Sequence, residues 1–166
     1  MLLAVTEVVA VTRVSVEALL EGDRVFAERF GVAVAPGYLD APEVLPAARD
    51  ALVAGTAPGW SGFLILQRAP LTVVGFGGFK APPEGGEVEI GYSVAPAFRR
   101  RGHASAAVAC FVARARDAGI AVVSAHTEPA ESPSTRLLER AGFTRTEVVA
   151  VEGLGAVWRW ELLLDA

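Results

Sequence analysis

The stretch VEIGYSVAPAFRRRGHASAA, Val88 to Ala107, decides the fold. It begins as a strand running from Glu87 to Val94. Val88, Ile90, Tyr92 and Val94 alternate with Glu87, Glu89, Gly91 and Ser93, so one face is apolar and the other polar. Pro96 closes the strand, three arginines follow, and Gly102 opens a helix that runs to Ala118. Within that helix Ala104, Ala107, Val108, Phe111, Val112 and Ala115 recur at spacings of three and four, and Gly119 stops it. The first turn of a helix leaves backbone N–H groups without an intrahelical partner and carries the positive end of the helix dipole. Small residues there (Gly102, Ala104, Ser105) let an anion approach the backbone, and Ser105 adds a hydroxyl. The arrangement suits a pyrophosphate.

On the N-terminal side, Leu2 to Thr12 is rich in valine and reads as a strand. Ser15 is placed to cap a helix through Phe30, with Val16, Leu19, Leu20, Phe26 and Phe30 on its apolar face. Gly31 to Pro42 is a loop, and Glu43 to Ala54 a second helix. Phe63 to Gln67 and Thr72 to Phe79 form a hairpin about Ala69-Pro70, followed by a loop from Ala81 to Gly86. On the C-terminal side, Ile120 to His126 is a strand. Ser132 or Ser134 opens a helix ending at Ala141. Phe143 to Val151 and Ala156 to Leu164 form a closing hairpin around Glu152-Gly153. A helix between the strand ending at Val94 and the strand starting at Ile120 requires a parallel crossover. The expected fold is α/β (α+β), with a mixed, mostly antiparallel sheet of about six to seven strands and helices on both faces. The chain reads as a single domain, 1–166.

Composition removes several classes of function. The 166 residues are 52% apolar and 20% charged, which excludes a disordered chain. A net charge of -4 argues against nucleic acid and anionic membrane as partners. Cys110 is the single cysteine, so no intrachain disulfide forms, as in a reducing compartment. No apolar run reaches the roughly 18 residues that span a bilayer. The apolar start, Met1 to Val11, lacks a basic leader and a cleavage site and is interrupted by Thr6 and Glu7. These features together imply a soluble, cytoplasmic protein. Two distant histidines and one cysteine provide no metal-ligand spacing.

Arg99-Arg100-Arg101-Gly102-His103-Ala104 fits the R/Q-x-x-G-x-G/A motif of the GNAT superfamily of N-acetyltransferases. Glu89-Ile90-Gly91-Tyr92 resembles the preceding strand of the branch containing ribosomal-protein N-terminal acetyltransferases. STRLLERAGF, Ser134 to Phe143, resembles that branch's later helix and its terminal Gly-Phe. The resemblance extends over nearly the whole chain. It implies acetyl-coenzyme A as co-substrate, without a metal. Arg99, Arg100, Arg101, Gly102, His103, Ala104 and Ser105 would hold its pyrophosphate, largely through backbone amides. The Val94 region would pair with pantetheine in the manner of an added strand, and a backbone N–H near Val94 would stabilise the oxyanion. The sequence departs from the family at Glu131, where an asparagine that helps hold the cofactor is usual, at Leu138, where many members carry a tyrosine, and at Ala106, where a glutamate is common.

An attacking amine must lose a proton, so a general base is expected. Glu89 is the first candidate, with burial raising its pKa toward the useful range, and Glu87 is the fallback. Ser134 and Tyr92 are candidates for protonating the leaving thiolate. Ser134 also reads as a helix cap and Tyr92 as core. His126 reads as a structural residue or a second base, His103 as surface and Cys110 as a buried small hydrophobe. Trp60 reads as packing or as a wall of the acceptor site. The acceptor is a primary amine, either a protein N-terminus or a small molecule. A homodimer would fit the family, though nothing in the sequence establishes one. A coenzyme A-binding sensor or interaction protein without transferase activity, and transfer of a longer acyl chain, are the alternatives.

Overall fold

The computed structural model describes residues 5–165. The elements in order are β1 (Thr6–Ala10), α1 (Arg13–Glu21), α2 (Asp23–Phe30), β2 (Ala33–Val34), α3 (Val44–Val53), β3 (Gly62–Arg68), β4 (Leu71–Phe79), β5 (Glu87–Val94), α4 (His103–Asp117), β6 (Val122–Thr127), α5 (Pro133–Arg140), β7 (Thr144–Val151) and β8 (Gly155–Leu163). The strands form one sheet in the order β1-β3-β4-β5-β6-β8-β7, and the two-residue β2 pairs in parallel with β4. Every other neighbouring pair is antiparallel except β5 and β6, joined by the α4 crossover.

The sheet is therefore the expected mixed, mostly antiparallel one, with eight strands once β2 is counted. The expected first-strand residues Leu2 to Ala4 lie outside the described residues. The first helix differs from the sequence reading. Thr12, not Ser15, is the cap, and Ser15 completes a reciprocal capping box as the third helical residue. Gly22, at φ 142°, then divides the expected helix into α1 and α2. The helical apolar pattern continues across Gly22 and so conceals the break.

Helices cover both faces. α4 and α5 pack Phe111, Val108 and Leu138 against Ile65, Val88, Ile90 and Val123. On the other face, α1, α2 and α3 bring Val16, Leu19, Phe26 and Leu45 onto Leu64, Leu66, Val73 and Phe76. The alternation of β3 and β4 residues between these two cores is the period-two pattern of strands buried on both sides. Phe111 is fully buried, and sequestering a side chain of that size contributes about 1.5–3 kcal/mol. The helices on the second face cover only the N-terminal half of the sheet.

Candidate active site

The site begins where β5 leaves β6. Their parallel pairing runs from Glu87↔Val122 to Ile90↔Ala125 and stops, while β5 stays paired with β4 through Val94↔Gly75. From Gly91 to Val94 the strand thus has a neighbour on one side and an opening on the other. Opposite its end, β4 carries an irregularity, since Ile65↔Gly75 is followed by Leu66↔Val73 and Val74 is the extra residue. Ala95 donates its N–H to the Val74 carbonyl at 2.7 Å, toward β4. The Val94 carbonyl faces the other way and accepts from Arg99 Nε at 2.9 Å. Backbone groups alternate sides along a strand, so the Val94 N–H also faces the opening.

Pro96 to Phe98 forms one 3-10 turn after β5. Arg100 then takes φ 62° and Gly102 φ 84°. Arg100 is the one non-glycine at positive φ among the described residues, a conformation costing about 1–2 kcal/mol. Intrahelical bonding starts with Ala106 N–H to the Gly102 carbonyl at 3.0 Å. Among the described residues the backbone N–H groups from Arg100 to Ser105 therefore have no protein partner. Successive N–H groups around left-handed residues at a helix N-terminus make a concave anion site. Of these residues all but Arg101 border a cavity of about 650 Å³ that reaches Val94, Tyr92 and the start of α5. An elongated, anion-bearing ligand with a narrow arm along β5 fits this opening, and the residues present match acetyl-coenzyme A.

Side chains of the arginine run divide. Arg99 and Arg100 border the cavity, as does Arg140 of α5, which sequence reasoning did not single out. Arg101 does not border it; its guanidinium lies 5.1 Å from the centre of the Phe98 ring. His103 is not at the surface but fully buried, with Nδ1 2.9 Å from Thr6 Oγ1 and Nε2 without a partner among the described residues. Burial and the Arg101 charge both lower its pKa, which keeps the imidazole neutral. Glu131 is exposed and borders neither cavity described here.

Tyr92 and Ser134, 42 residues apart in sequence, meet with Oη and Oγ 3.0 Å apart on the cavity wall. The capping of α5 falls to Ser132, which forms a reciprocal box with Thr135 around Pro133. Ser134 is thereby released from the cap and turned to Tyr92. Burial raises the Tyr92 phenol and the hydrogen bond to Ser134 opposes that. Leu138 lies fully buried in the core below.

The expected carboxylate bases are not free. Glu89 Oε1 accepts from Lys80 Nζ at 2.5 Å and lies 2.8 Å from His126 Nδ1. Burial acts to raise Glu89, but Lys80 and His126 outweigh it and its pKa lies below the ordinary carboxylate value. This is opposite to the shift expected from burial alone. Glu87 is likewise lowered: burial is outweighed by Arg159 at 2.5 Å and the Ser124 hydroxyl at 2.8 Å. Neither carboxylate nor His126 borders either cavity.

A second cavity, of about 350 Å³, lies on the opposite side of β5, between α3 and strands β4 and β5. It shares Asp40, Tyr92 and Ser93 with the larger one, so both cavities are walled by the same stretch of β5. Asp40 belongs to a loop without a sequence motif. Ser93 Oγ holds that loop by donating to the Tyr38 carbonyl at 2.8 Å, and Tyr38 is itself buried. Trp60 borders the same cavity, with its ring 4.8 Å from that of Phe79 and the Arg114 guanidinium 4.9 Å from its centre. Cys110 is only partly buried, and burial raises its thiol pKa. No group of three or more metal-ligating side chains occurs among the described residues.

An acetyltransferase (GNAT) domain family matches residues 21–144. No curated protein matches the chain by sequence. Solved structures similar to it include Mycobacterium smegmatis RimJ in complex with CoA-disulfide, at 19% identity over 96% of this chain and 82% of that one, with a TM-score of 0.68. A ribosomal-protein-alanine N-acetyltransferase from Brucella melitensis is 18% identical over 95% of this chain and 99% of that one, with a TM-score of 0.67. A spermidine N-acetyltransferase SpeG chimera from Vibrio cholerae and hSSAT is 12% identical over 95% of each chain, with a TM-score of 0.69. At these identities the likeness is one of fold, and it spans proteins named for different acceptors.

Proposed function

The chain belongs to the GNAT acetyltransferase family, and we propose that, as a single domain, it transfers the acetyl group of acetyl-coenzyme A to a primary amine by direct attack, with both substrates bound. The observation that carries this reading is the run of unpartnered N–H groups from Arg100 to Ser105 beside the unpaired end of β5. When bound, acetyl-coenzyme A supplies an activated acyl group. The amine nitrogen gains that group, the carbon–sulfur bond breaks, the amine loses a proton and the sulfur gains one.

This chain's residues divide the work. The Arg100 to Ser105 amides hold the diphosphate, and Arg99, Arg100 and Arg140 supply positive charge around it. The Val94 N–H donates to the acyl oxygen as negative charge builds there. Tyr92 and Ser134 form the proton donor for the thiolate. Tyr92 is protonated at neutral pH, and Ser134 connects it to the cavity wall. Glu89 is ionised and held low, which makes it a weak base on its own. It orients the His126 imidazole at Nδ1, and because neither group borders a cavity, the amine proton reaches Nε2 through a chain of waters. The net charge and lone cysteine support action in the cytoplasm, and no helix among the described residues is long and apolar enough to cross a membrane.

Calorimetric titration with acetyl-coenzyme A and with coenzyme A tests the reading. Saturable one-to-one binding is expected, weakened in Arg100→Ala and Arg140→Ala variants. Absence of binding at millimolar ligand would refute it.

A further inference from the structure

Resting on the acetyl-transfer reading, we propose that the cavity between α3 and β4–β5 receives the side group of the acceptor, and that the acceptor is a singly charged amine bearing an apolar group the size of a leucine, methionine or phenylalanine side chain. Both cavities are walled by Asp40, Tyr92 and Ser93. An amine beside these shared residues lies next to the Tyr92–Ser134 pair, and with the larger cavity taken by the co-substrate the smaller one is the space left for the group it carries. At about 350 Å³, that cavity is at the small end of the range, about 300–1,000 Å³, for ligand sites. It has room for one bulky side group.

The walls state its chemistry. Val44, Ala47, Ala48 and Ala51 repeat at three- and four-residue spacing along α3 and present one apolar face. Trp60, Phe76 and Phe79 form the opposite side. Trp60 is fixed by Phe79 and by Arg114, whose Nε also donates to the Gly59 carbonyl. Two charged residues border the cavity, Asp40 and Lys80. The Lys80 ammonium is engaged by Glu89 at 2.5 Å. Asp40 borders both cavities and is in an exposed ion pair with Arg99 at 3.8 Å, too long for a hydrogen bond, so its oxygens keep acceptor capacity for an ammonium. One carboxylate complements one ammonium. A polyamine or an aminoglycoside carries several charges, and this wall has no second acid to meet them. A small N-terminal residue such as glycine or alanine would leave the aromatic side unfilled.

The alanines set the available depth. Ala47 is exposed and Ala51 half-buried in the protein alone, so a larger side chain at either grows into the cavity rather than into the core. The test uses peptides identical except for a first residue of Gly, Ala, Leu or Phe, together with phenethylamine and spermidine. Leu and Phe peptides are expected to exceed the Ala peptide at least about tenfold in kcat/KM, the discrimination that buried methylenes provide. Phenethylamine distinguishes the sources: rates equal to the Phe peptide mark a free amine, and rates far below it mark a polypeptide N-terminus. Both satisfy the proposal. Ala51→Leu should abolish the preference with acetyl-coenzyme A affinity unchanged, and Ala47→Leu serves if that variant does not fold. Independently of turnover, phenylalaninamide should change the fluorescence of the wild type saturably and fail to do so in Trp60→Phe.

Equal rates on Ala and Leu peptides, preference for spermidine, an unchanged preference in both α3 variants, or no fluorescence response would overturn the assignment. Acetyl-coenzyme A affinity measured on the same samples separates the two failures. If the co-substrate does not bind, the acetyl-transfer reading itself is wrong. If it binds and is used without side-group preference, only the acceptor assignment is wrong.

Discussion

Replacing Gly102 by valine separates the turn's role in folding from its role in binding. Gly102 sits at φ 84°, and a Cβ built there meets no protein atom within 4 Å. The folded protein therefore suffers backbone strain and no collision. Left-handed geometry costs an L-residue about 1–2 kcal/mol, and more for a β-branched one. For a chain of this length each kcal/mol lowers the thermal midpoint by roughly 2–4 °C, so a fall of about 2–8 °C is expected. Binding should suffer far more. Gly102 borders the larger cavity, and relieving its φ would redirect its own N–H and that of His103. Two charge-assisted hydrogen bonds at about 1.5–3 kcal/mol each amount to about 3–6 kcal/mol, or a weakening of roughly two to four orders of magnitude. Calorimetric titration with coenzyme A, paired with a thermal melt, reads both quantities. An affinity within threefold of wild type alongside a lowered midpoint would show that the turn is only structural and that the diphosphate binds elsewhere.

Other perturbations address the remaining groups. Tyr92→Phe and Ser134→Ala should each lower kcat about a hundredfold, the lower end of what a positioned acid contributes, with acetyl-coenzyme A affinity unchanged. The double variant should be little worse than either, because the two hydroxyls act as one donor; fully multiplicative losses would contradict that. Glu89→Gln should reduce kcat with acetyl-coenzyme A affinity unchanged, since His126 loses the carboxylate that orients it; unchanged turnover would remove both from proton transfer. Glu87 and Glu89 titrate below the ordinary carboxylate value in the folded protein. Their stabilisation is therefore complete at neutral pH, begins to fall as pH drops into the ordinary carboxylate range, and is lost once pH passes below the depressed values. A Glu87→Gln, Glu89→Gln double variant should show a flatter decline of thermal midpoint with acid than the wild type.

The sheet and the turn that opens α4 were legible because their signals are local. The alternation from Glu87 to Val94, the glycine opening α4 and the period of its apolar face each lie within one segment, and the segment fixes the crossover. The same locality explains the misreadings. The Gly22 break interrupts an apolar pattern that continues on both sides of it, and Ser15 carries a capping side chain but serves as the partner of Thr12. Glu89 is held low by Lys80, nine residues before it, and His126, 37 residues after it, which no reading of the strand alone reveals. His103 occupies a turn whose side chains usually face solvent, yet β1 brings Thr6 onto it. Asp40 and the α3 alanines carry no motif at all. They come to line one cavity through the Ser93 to Tyr38 hydrogen bond, which holds the loop against β5.

The most direct test of acetyl transfer is a stoichiometric one. Purified protein is incubated with acetyl-coenzyme A and a Leu-first peptide, and free thiol is counted against acetylated amine identified by mass. The structure predicts equal amounts of the two products, over many turnovers and dependent on both substrates. Release of thiol without acetylated amine, or no thiol at all from protein that binds acetyl-coenzyme A, would contradict it.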